Sequence, residues 1–386
     1  MVSRRSLLRT IPVGVAATAL GTSYARAAAT PVRRRIGQAG LPLRFVNNSG
    51  AYENSSINFY VVGTDLATGN QVHVTPEGAM QPVSLSDNGP DGYADYSIPF
   101  AGGGDTTGLI PGDMSGRIYF SLGDKLKFKV NEGNALAYPA GWVENDPSFG
   151  VVHDCVEFTY KEGRIYCNTT MVDMFSVPLS IALKGEQSPT TGKLVDGGRA
   201  NIFSALRDHP DFGSLVVDDT RVIAPGHGIE VGRFSATYFD GYVNEVWSAY
   251  QSKSLTVNAN NRVFTGQVNG DQFAFDGGVK PFSKPSTTDV LFCAGALAAP
   301  NDGVTGPVAA VLGAALNRTT LLDVANQPTT DPAAFYQAPT THVYSKVMHD
   351  NSADGKAYGF PFDDVAGFAS YIEDNATEMT VTLTPF

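Results

Sequence analysis

Strand-like alternation opens and closes this 386-residue chain, and helical spacing fills its middle. Near the start, Leu41, Leu43 and Phe45 recur at every second position; at the end, Met379, Val381 and Leu383 alternate with Thr380, Thr382 and Thr384. A period of two puts one set of side chains on a buried face and the other toward solvent. Ile57 to Val62 is β-branched and aromatic, and Arg117 to Leu122 with Lys125 to Val130 predicts a strand pair around Gly123-Asp124. Asp87-Asn88-Gly89-Pro90-Asp91-Gly92 and Ala101-Gly102-Gly103-Gly104 are turn clusters. The texture changes near Asp196. Arg199 to Arg207 has a helical pattern, and within Ser235 to Tyr250 the residues Phe239, Val243, Val246, Trp247 and Tyr250 share one helix face. Val308 to Leu316 predicts a short buried helix, Asn269-Gly270 a tight hairpin turn, and His342 to Met348 a further strand. The expected fold is mainly β. A β-barrel or sandwich lobe covers residues 41–195 and is completed by 336–386, a mixed α/β lobe over 196–335 is inserted into it, and a wide groove runs between them.

Composition agrees with a turn-rich, β-heavy globular protein: 41 Gly and 23 Pro accompany only 17% charged residues. Residues 1–29 read as an export segment. Ser3-Arg4-Arg5-Ser6-Leu7-Leu8-Arg9 resembles a twin-arginine signal, a moderately apolar stretch from Ile11 to Leu20 follows, and Ala25-Arg26-Ala27 offers a cleavage site. The mature protein is therefore expected to be secreted and free of the membrane. Residues 30–40, with Arg33-Arg34-Arg35, read as a linker. The net charge is −11, and loss of the four arginines of residues 1–29 takes it to −15. An acidic protein with no basic stripe is a poor partner for nucleic acid.

Three cysteines, Cys155, Cys167 and Cys293, are too few and too odd in number for a disulfide scaffold. Cys155 and Cys167 either pair after export or serve as small buried apolar residues. The Asp87–Gly92 run lacks the third-position ligand of a calcium loop, and Ile98 stands where such a loop closes on Glu. There is no His-Glu-x-x-His pair and no Gly-x-Ser-x-Gly elbow. No metal or cofactor is called for.

Chemistry concentrates on two acids sixteen residues apart, Glu157 and Asp173, each in an apolar, strand-like stretch where a carboxylate is costly unless paired or used. Residues 151–175 read as a hairpin with Lys161-Glu162-Gly163 at its tip, which sets residue 160 opposite 164 and Glu157 opposite Cys167. That register puts both acids on one face but offset by six residues, or roughly 20 Å along the strand. Glycoside hydrolysis needs its two carboxyls roughly 5–9.5 Å apart, so a bend must close the gap. An acid catalyst must also hold its proton near neutral pH, which apolar flanks such as Val156 and Phe158 and a neighbouring carboxylate would favour. Thr159 and Asn168 are neutral groups suited to sugar hydroxyls or to orienting water. Trp142 either stacks on a sugar ring or packs in the core, and Trp247, on the apolar helix face, reads as core. Glu144, Asp146 and Asp154 add acidity near the hairpin.

Several segments together are similar to the bacterial β-1,3-glucanases of glycoside hydrolase family 64, the laminaripentaose-producing type. They are Val156-Glu157-Phe158-Thr159, Asn168-Thr169-Thr170, Val172-Asp173-Met174-Phe175 with Pro178-Leu179, and Ala357-Tyr358-Gly359-Phe360-Pro361-Phe362-Asp363-Asp364. Leu41-Pro42-Leu43 followed by Asn47 resembles the family's opening strand, and the likeness spans about residues 40–386. The resemblance implies a thaumatin-like barrel with an added α/β domain and an inverting mechanism. It implies Glu157 as general acid, Asp173 as general base and Thr159 as a substrate contact. It also implies a β-1,3-glucan substrate cut to short laminari-oligosaccharides, by a protein read as a monomer. The chain departs from the pattern at Cys155, Met171 and Ser176, and Asp363-Asp364 reads as structural. Two other readings stand beside it: a thaumatin-like glucan-binding or antifungal protein without catalysis, and a hydrolase of a different glycan.

Overall fold

The computed structural model describes residues 40–386. The twin-arginine segment, and the linker apart from Gly40, lie outside the described residues. Two β-sheets face each other across one apolar core. The first has five strands in the order Thr190–Thr191, Leu179–Lys184, Glu378–Leu383, Leu41–Asn47 and Thr106–Ile110. The second has eight. Its path runs Tyr371–Asp374, Arg164–Thr169, Val152–Lys161, Met114–Leu122, Ile57–Asp65, Gln71–Val74 and Met80–Pro82, with Ile98–Pro99 added beside Ile57–Asp65. Leu41, Leu43, Phe45, Val381 and Leu383 of the first sheet meet Phe59, Ile118, Phe120, Val156 and Phe158 of the second. The alternation at both ends of the sequence is this burial pattern, and the two end strands lie side by side in parallel, with Phe45 opposite Val381. Among the described residues neither sheet's strand order returns on itself, so the β part is a pair of open sheets and not a closed barrel.

The predicted pairing of Arg117–Leu122 with Lys125–Val130 does not form. Met114–Leu122 is a central strand, bonded on one side to Ile57–Asp65 and on the other to Val152–Lys161, so both its edges are taken. Lys129–Asn131 pairs with Ala135–Ala137 instead. The segment expected as a strand at His342–Met348 is a helix, Val343–Asp350. Its buried residues Tyr344, Val347 and Met348 sit at helical spacing, and His342 caps it by accepting the Ser345 N–H at 3.1 Å. The hairpin expected at Asn269-Gly270 exists one step later: Asn269 pairs with Gln272, and Gly270-Asp271 makes the turn.

The helices expected in the middle are present as Gly198–Arg207, Asp240–Ala249 and Thr305–Asn317. They enclose a second core with Trp247, Leu312, Tyr344 and Phe360, and Trp247, at 2% exposure, is a core residue. A short antiparallel pair, Met174–Phe175 with Arg221–Ile223, joins the end of the site hairpin to this region. Asp363 is fully buried, bonded to Arg318 and His349 at 3.0 Å each, to Ser345 Oγ and to the Gly359 N–H. Both oxygens of that carboxylate are engaged by the fold, which is a structural use.

Candidate active site

Val152–Lys161 and Arg164–Thr169 form the expected hairpin, with a different register. Lys161 faces Arg164 across a two-residue loop, Glu162-Gly163, whose φ angles of 53° and 84° are both left-handed. Such loops match the twist of the strands they join, and Gly163 takes its conformation at no steric cost. The expected three-residue loop would have set Glu157 against Cys167. In the actual register Glu157 faces Asn168 on one side and Arg117 on the other. Cys167 faces Phe158 and points into the core between the sheets, whereas Cys155 lies on the opposite face with Tyr119 and Val151. The two thiols are therefore on opposite sides of one sheet; both are free and buried, and they cannot pair.

The same alternation removes the apolar flanks expected for Glu157. Val156 and Phe158 are its neighbours in sequence but point the other way, into the core, at 0% and 3% exposure. What Glu157 meets is polar. Arg117 donates to its Oε1 from Nη2 at 2.8 Å and from Nε at 3.1 Å, and Asn168 Nδ2 donates to its Oε2 at 3.2 Å.

Asp173 does not continue the hairpin. The strand ends at Thr169, and the next residues are pinned elsewhere: the Met171 N–H bonds to Tyr358 O at 2.9 Å, and Tyr344 Oη donates to Met171 O at 2.6 Å. The chain thus leaves the sheet at Thr170, bends at Val172-Asp173 and returns Asp173 to the face carrying Glu157. Arg117 Nη1 donates to Asp173 Oδ2 at 3.1 Å. One guanidinium therefore holds both acids. The two contacts and the width of the guanidinium bound the oxygen-to-oxygen separation at about 8 Å, against the roughly 20 Å of the extrapolated hairpin. Glu157 and Asp173 keep 30% and 25% of their side-chain surface open, so a ligand can reach both.

His227 Nε2 lies 3.1 Å from Asp173 Oδ1, and its Nδ1 lies 2.7 Å from Glu230 Oε2. It is placed by the Met174–Phe175 and Arg221–Ile223 pair, after which Pro225–Glu230 starts as a helix with proline in its first turn. The Ala224 N–H also donates to the Asp173 carbonyl at 3.1 Å. Burial alone would raise the Asp173 pKa, but the Arg117 cation and the His227 contact hold it well below the usual carboxylate range. Burial would lower His227, and its two carboxylate partners outweigh that and push it up to about 9.

Trp142 stacks on the His227 ring at 4.0 Å and packs partly against the second core, so one indole face is covered and the residue borders the acids. Its loop is tied down by the fully buried Arg221, which donates to Gly141 O at 2.9 Å and Val151 O at 2.7 Å. Thr159 lies two residues beyond Glu157 on the same strand face, with its hydroxyl 2.8 Å from Ser115 Oγ. The other nearby acids are otherwise engaged. Asp154 is buried and accepts the N–H groups of Cys155, Ser176 and Val177; Asp146 accepts those of Ala140 and Ser148; Glu144 pairs with Arg233 on the surface.

Residues 39–383 match the family model of glycoside hydrolase family 64, described as β-1,3-glucanase. The chain belongs to glycoside hydrolase family 64. It is 38% identical over 289 residues to a glucan endo-1,3-β-glucosidase of Cellulosimicrobium cellulans and, equally, to one of Arthrobacter sp. (strain YCWD3). That stretch is 71% of this chain and 53% of each relative, so the chain spans about half the length of the curated relatives it matches. Among solved structures, a laminaripentaose-producing β-1,3-glucanase in complex with laminaritetraose is 36% identical, with a TM-score of 0.82 over 90% of this chain and 99% of that one. A family 64 β-1,3-glucanase domain from Clostridium beijerinckii is 29% identical, with a TM-score of 0.79 over 91% and 99% of the two chains.

Sequence reasoning singled out Glu157, Asp173, Asn168, Thr159 and Trp142, and the fold gathers them around one patch. It missed Arg117, His227 and Glu230. Arg117 had a readable signal: it is the lone charge in Met-Ser-Gly-Arg-Ile-Tyr-Phe-Ser-Leu, and a buried-strand charge is as costly for a guanidinium as for the two acids. His227 had no such signal. It belongs to a six-residue helix fifty-four positions after Asp173, and the Met174–Ile223 pairing, with the Ala224 N–H on the Asp173 carbonyl, brings the two together.

Proposed function

We propose that this protein is a secreted hydrolase of β-1,3-glucan that works by inversion with two carboxyl groups and no cofactor. The observation carrying this reading is that Glu157 and Asp173 are accessible and gripped by a single guanidinium, at most about 8 Å apart. That bound takes in both the roughly 6.5–9.5 Å spacing of inverting enzymes, which leaves room for a water beside the sugar, and the roughly 5–5.5 Å of retaining ones, and inversion is chosen on the likeness to family 64. Glu157 gives its proton to the glycosidic oxygen as the bond from that oxygen to C1 breaks. Water attacks C1 from the opposite side, and Asp173 takes the proton that the water loses. The products are a shortened chain with a new non-reducing end and a fragment with a new reducing end.

Thr159, Asn168 and Trp142 are read as the nearest glucan contacts: a hydroxyl and an amide for sugar hydroxyls, and an aromatic edge for a ring. The β part is read as a thaumatin-like sandwich over 41–195 and 336–386. Residues 196–335 form the second wall of a wide groove that holds the glucan and releases short laminari-oligosaccharides. Export is assigned to a twin-arginine signal in residues 1–29, a linker to 30–40, and the working state to a monomer.

Support comes from family membership and from the solved relative described as bound to laminaritetraose. Incubation with laminarin and with a soluble β-1,4-glucan tests the assignment. New reducing ends from laminarin alone are expected. Binding of laminarin with no reducing ends formed would favour a glucan-binding protein, and cleavage of the β-1,4 polymer alone would place the specificity elsewhere.

A further inference from the structure

We propose that His227, held by Glu230, is the positioning cation of the general base: it fixes the Asp173 carboxylate from the side opposite Arg117 and keeps it ionised. The proposal rests on the reading of Asp173 as base and adds to it the device that keeps Asp173 working in acid.

Both nitrogens of the His227 ring face a carboxylate oxygen, Asp173 Oδ1 at 3.1 Å and Glu230 Oε2 at 2.7 Å. An ionised carboxylate only accepts hydrogen bonds, so a ring between two of them donates at both nitrogens, which is the imidazolium form. The ring has little freedom to leave this position. It is 6% exposed, Trp142 stacks on it at 4.0 Å, and Phe292 meets it edge-on at 5.2 Å.

Asp173 is thereby held at each of its oxygens by a different cation, His227 at Oδ1 and Arg117 at Oδ2. A carboxylate fixed at both oxygens cannot rotate about its terminal bond, so its remaining lone pairs have set directions. That geometry is what a base needs to take a proton from one placed water. Arg117 is shared with Glu157 and with Tyr119 Oη at 3.2 Å, whereas among charged groups His227 bonds only Asp173 and Glu230. Glu230 supports the arrangement from outside: with 54% of its side chain exposed, it touches no part of the acid pair and acts through the ring.

Of the charged and titratable groups around this unit among the described residues, Arg117 and Tyr119 come from the central strand with Tyr138 beside them, Glu157, Cys155 and the buried Asp154 from the acid strand, Glu230 from the histidine's own helix, Tyr344 from Val343–Asp350, and Tyr358 lies near Glu157. Burial pushes the Tyr119 and Tyr344 phenols and the Cys155 thiol up, so all three stay neutral in the working range. The charge that decides the state of Asp173 is thus supplied by Arg117 and His227.

Asp173 works as a base only above its own pKa, and His227 lowers that pKa, so His227 extends activity toward acid. In His227→Gln the amide can still donate one hydrogen bond, but the charge is gone. The acid limb of kcat/KM against pH for laminarin should then move up, from well below the usual carboxylate range toward it, with a smaller loss at the plateau. A residue that merely filled space would lower the whole profile without moving the limb.

A second measurement needs no change at His227 itself. With ¹⁵N-labelled histidine, the His227 ring should titrate near 9 in the unaltered chain and at lower pH in both Glu230→Gln and Asp173→Asn. An unmoved acid limb in a folded His227→Gln protein would overturn the proposal. So would a His227 ring that titrates near 6.5 or below in the unaltered chain. Asp173→Asn separates the role of His227 from the role of Asp173. If that variant is inactive and the limb fails to move, only the role of His227 falls; if it keeps the unaltered rate, Asp173 is not the base at all.

Discussion

Glu157→Gln is expected to lower kcat on laminarin about a thousandfold while leaving the fold and glucan binding in place. General acid catalysis contributes roughly 10²–10⁴ in rate, and glutamine removes the proton source with almost no change of shape. The surroundings tolerate the exchange once the Asn168 amide turns over, so that its oxygen accepts from the new side-chain NH2. An amide oxygen can still accept from Arg117, which reaches Oε1 at 2.8 Å, and the strand pairing on either side of residue 157 is made by backbone. Initial rates of reducing-end formation, a curdlan pull-down and thermal melting check the three parts separately. A variant that binds, melts as before and still hydrolyses at the unaltered rate would remove Glu157 as the acid.

Asp173→Asn should cost a similar 10²–10⁴ in kcat, for a different reason. The amide cannot take a proton from water, and it also leaves two cations facing a neutral group. Arg117 keeps Glu157 as a partner, but His227 loses the anion at 3.1 Å and retains only Glu230. The variant should therefore lose activity at every pH, in contrast to His227→Gln, whose loss grows toward acid. If Asp173→Asn kept full activity on laminarin, the base would have to be sought elsewhere, although Asp154 and Asp146 are committed to backbone N–H groups.

Much of the fold was legible where one periodicity ruled without competition. Leu41, Leu43 and Phe45, and Met379, Val381 and Leu383, are strands because their alternation matches a single buried face. His342–Met348 misled because its apolar residues are spaced for a helix while the segment is short and contains β-branched Val343 and Val347. The site was legible as a set of residue types and not as a geometry. Glu157 and Asp173 were recognisable as costly acids, but their distance depended on events a strand count does not contain. These are a two-residue loop that moves the register by one, and a chain that leaves the sheet at Thr170 because Met171 is bonded to Tyr344 and Tyr358. Val156 and Phe158 do not desolvate Glu157 for a related reason: in a strand the adjacent residues are on the other face. His227 and Glu230 lay beyond reach because their link to Asp173 is tertiary.

The central claim is that Glu157 and Asp173 act on opposite sides of one sugar bond, as acid and as base. The stereochemistry of the first product tests it most directly. Proton NMR of laminarin hydrolysis, read before mutarotation equilibrates the new reducing end, should show the α-anomer first, because a single displacement at a β-linkage inverts C1. A β-anomer first would mean that one of the two carboxylates attacks the sugar, and would contradict the single displacement and with it the role of Asp173 as the base that activates water.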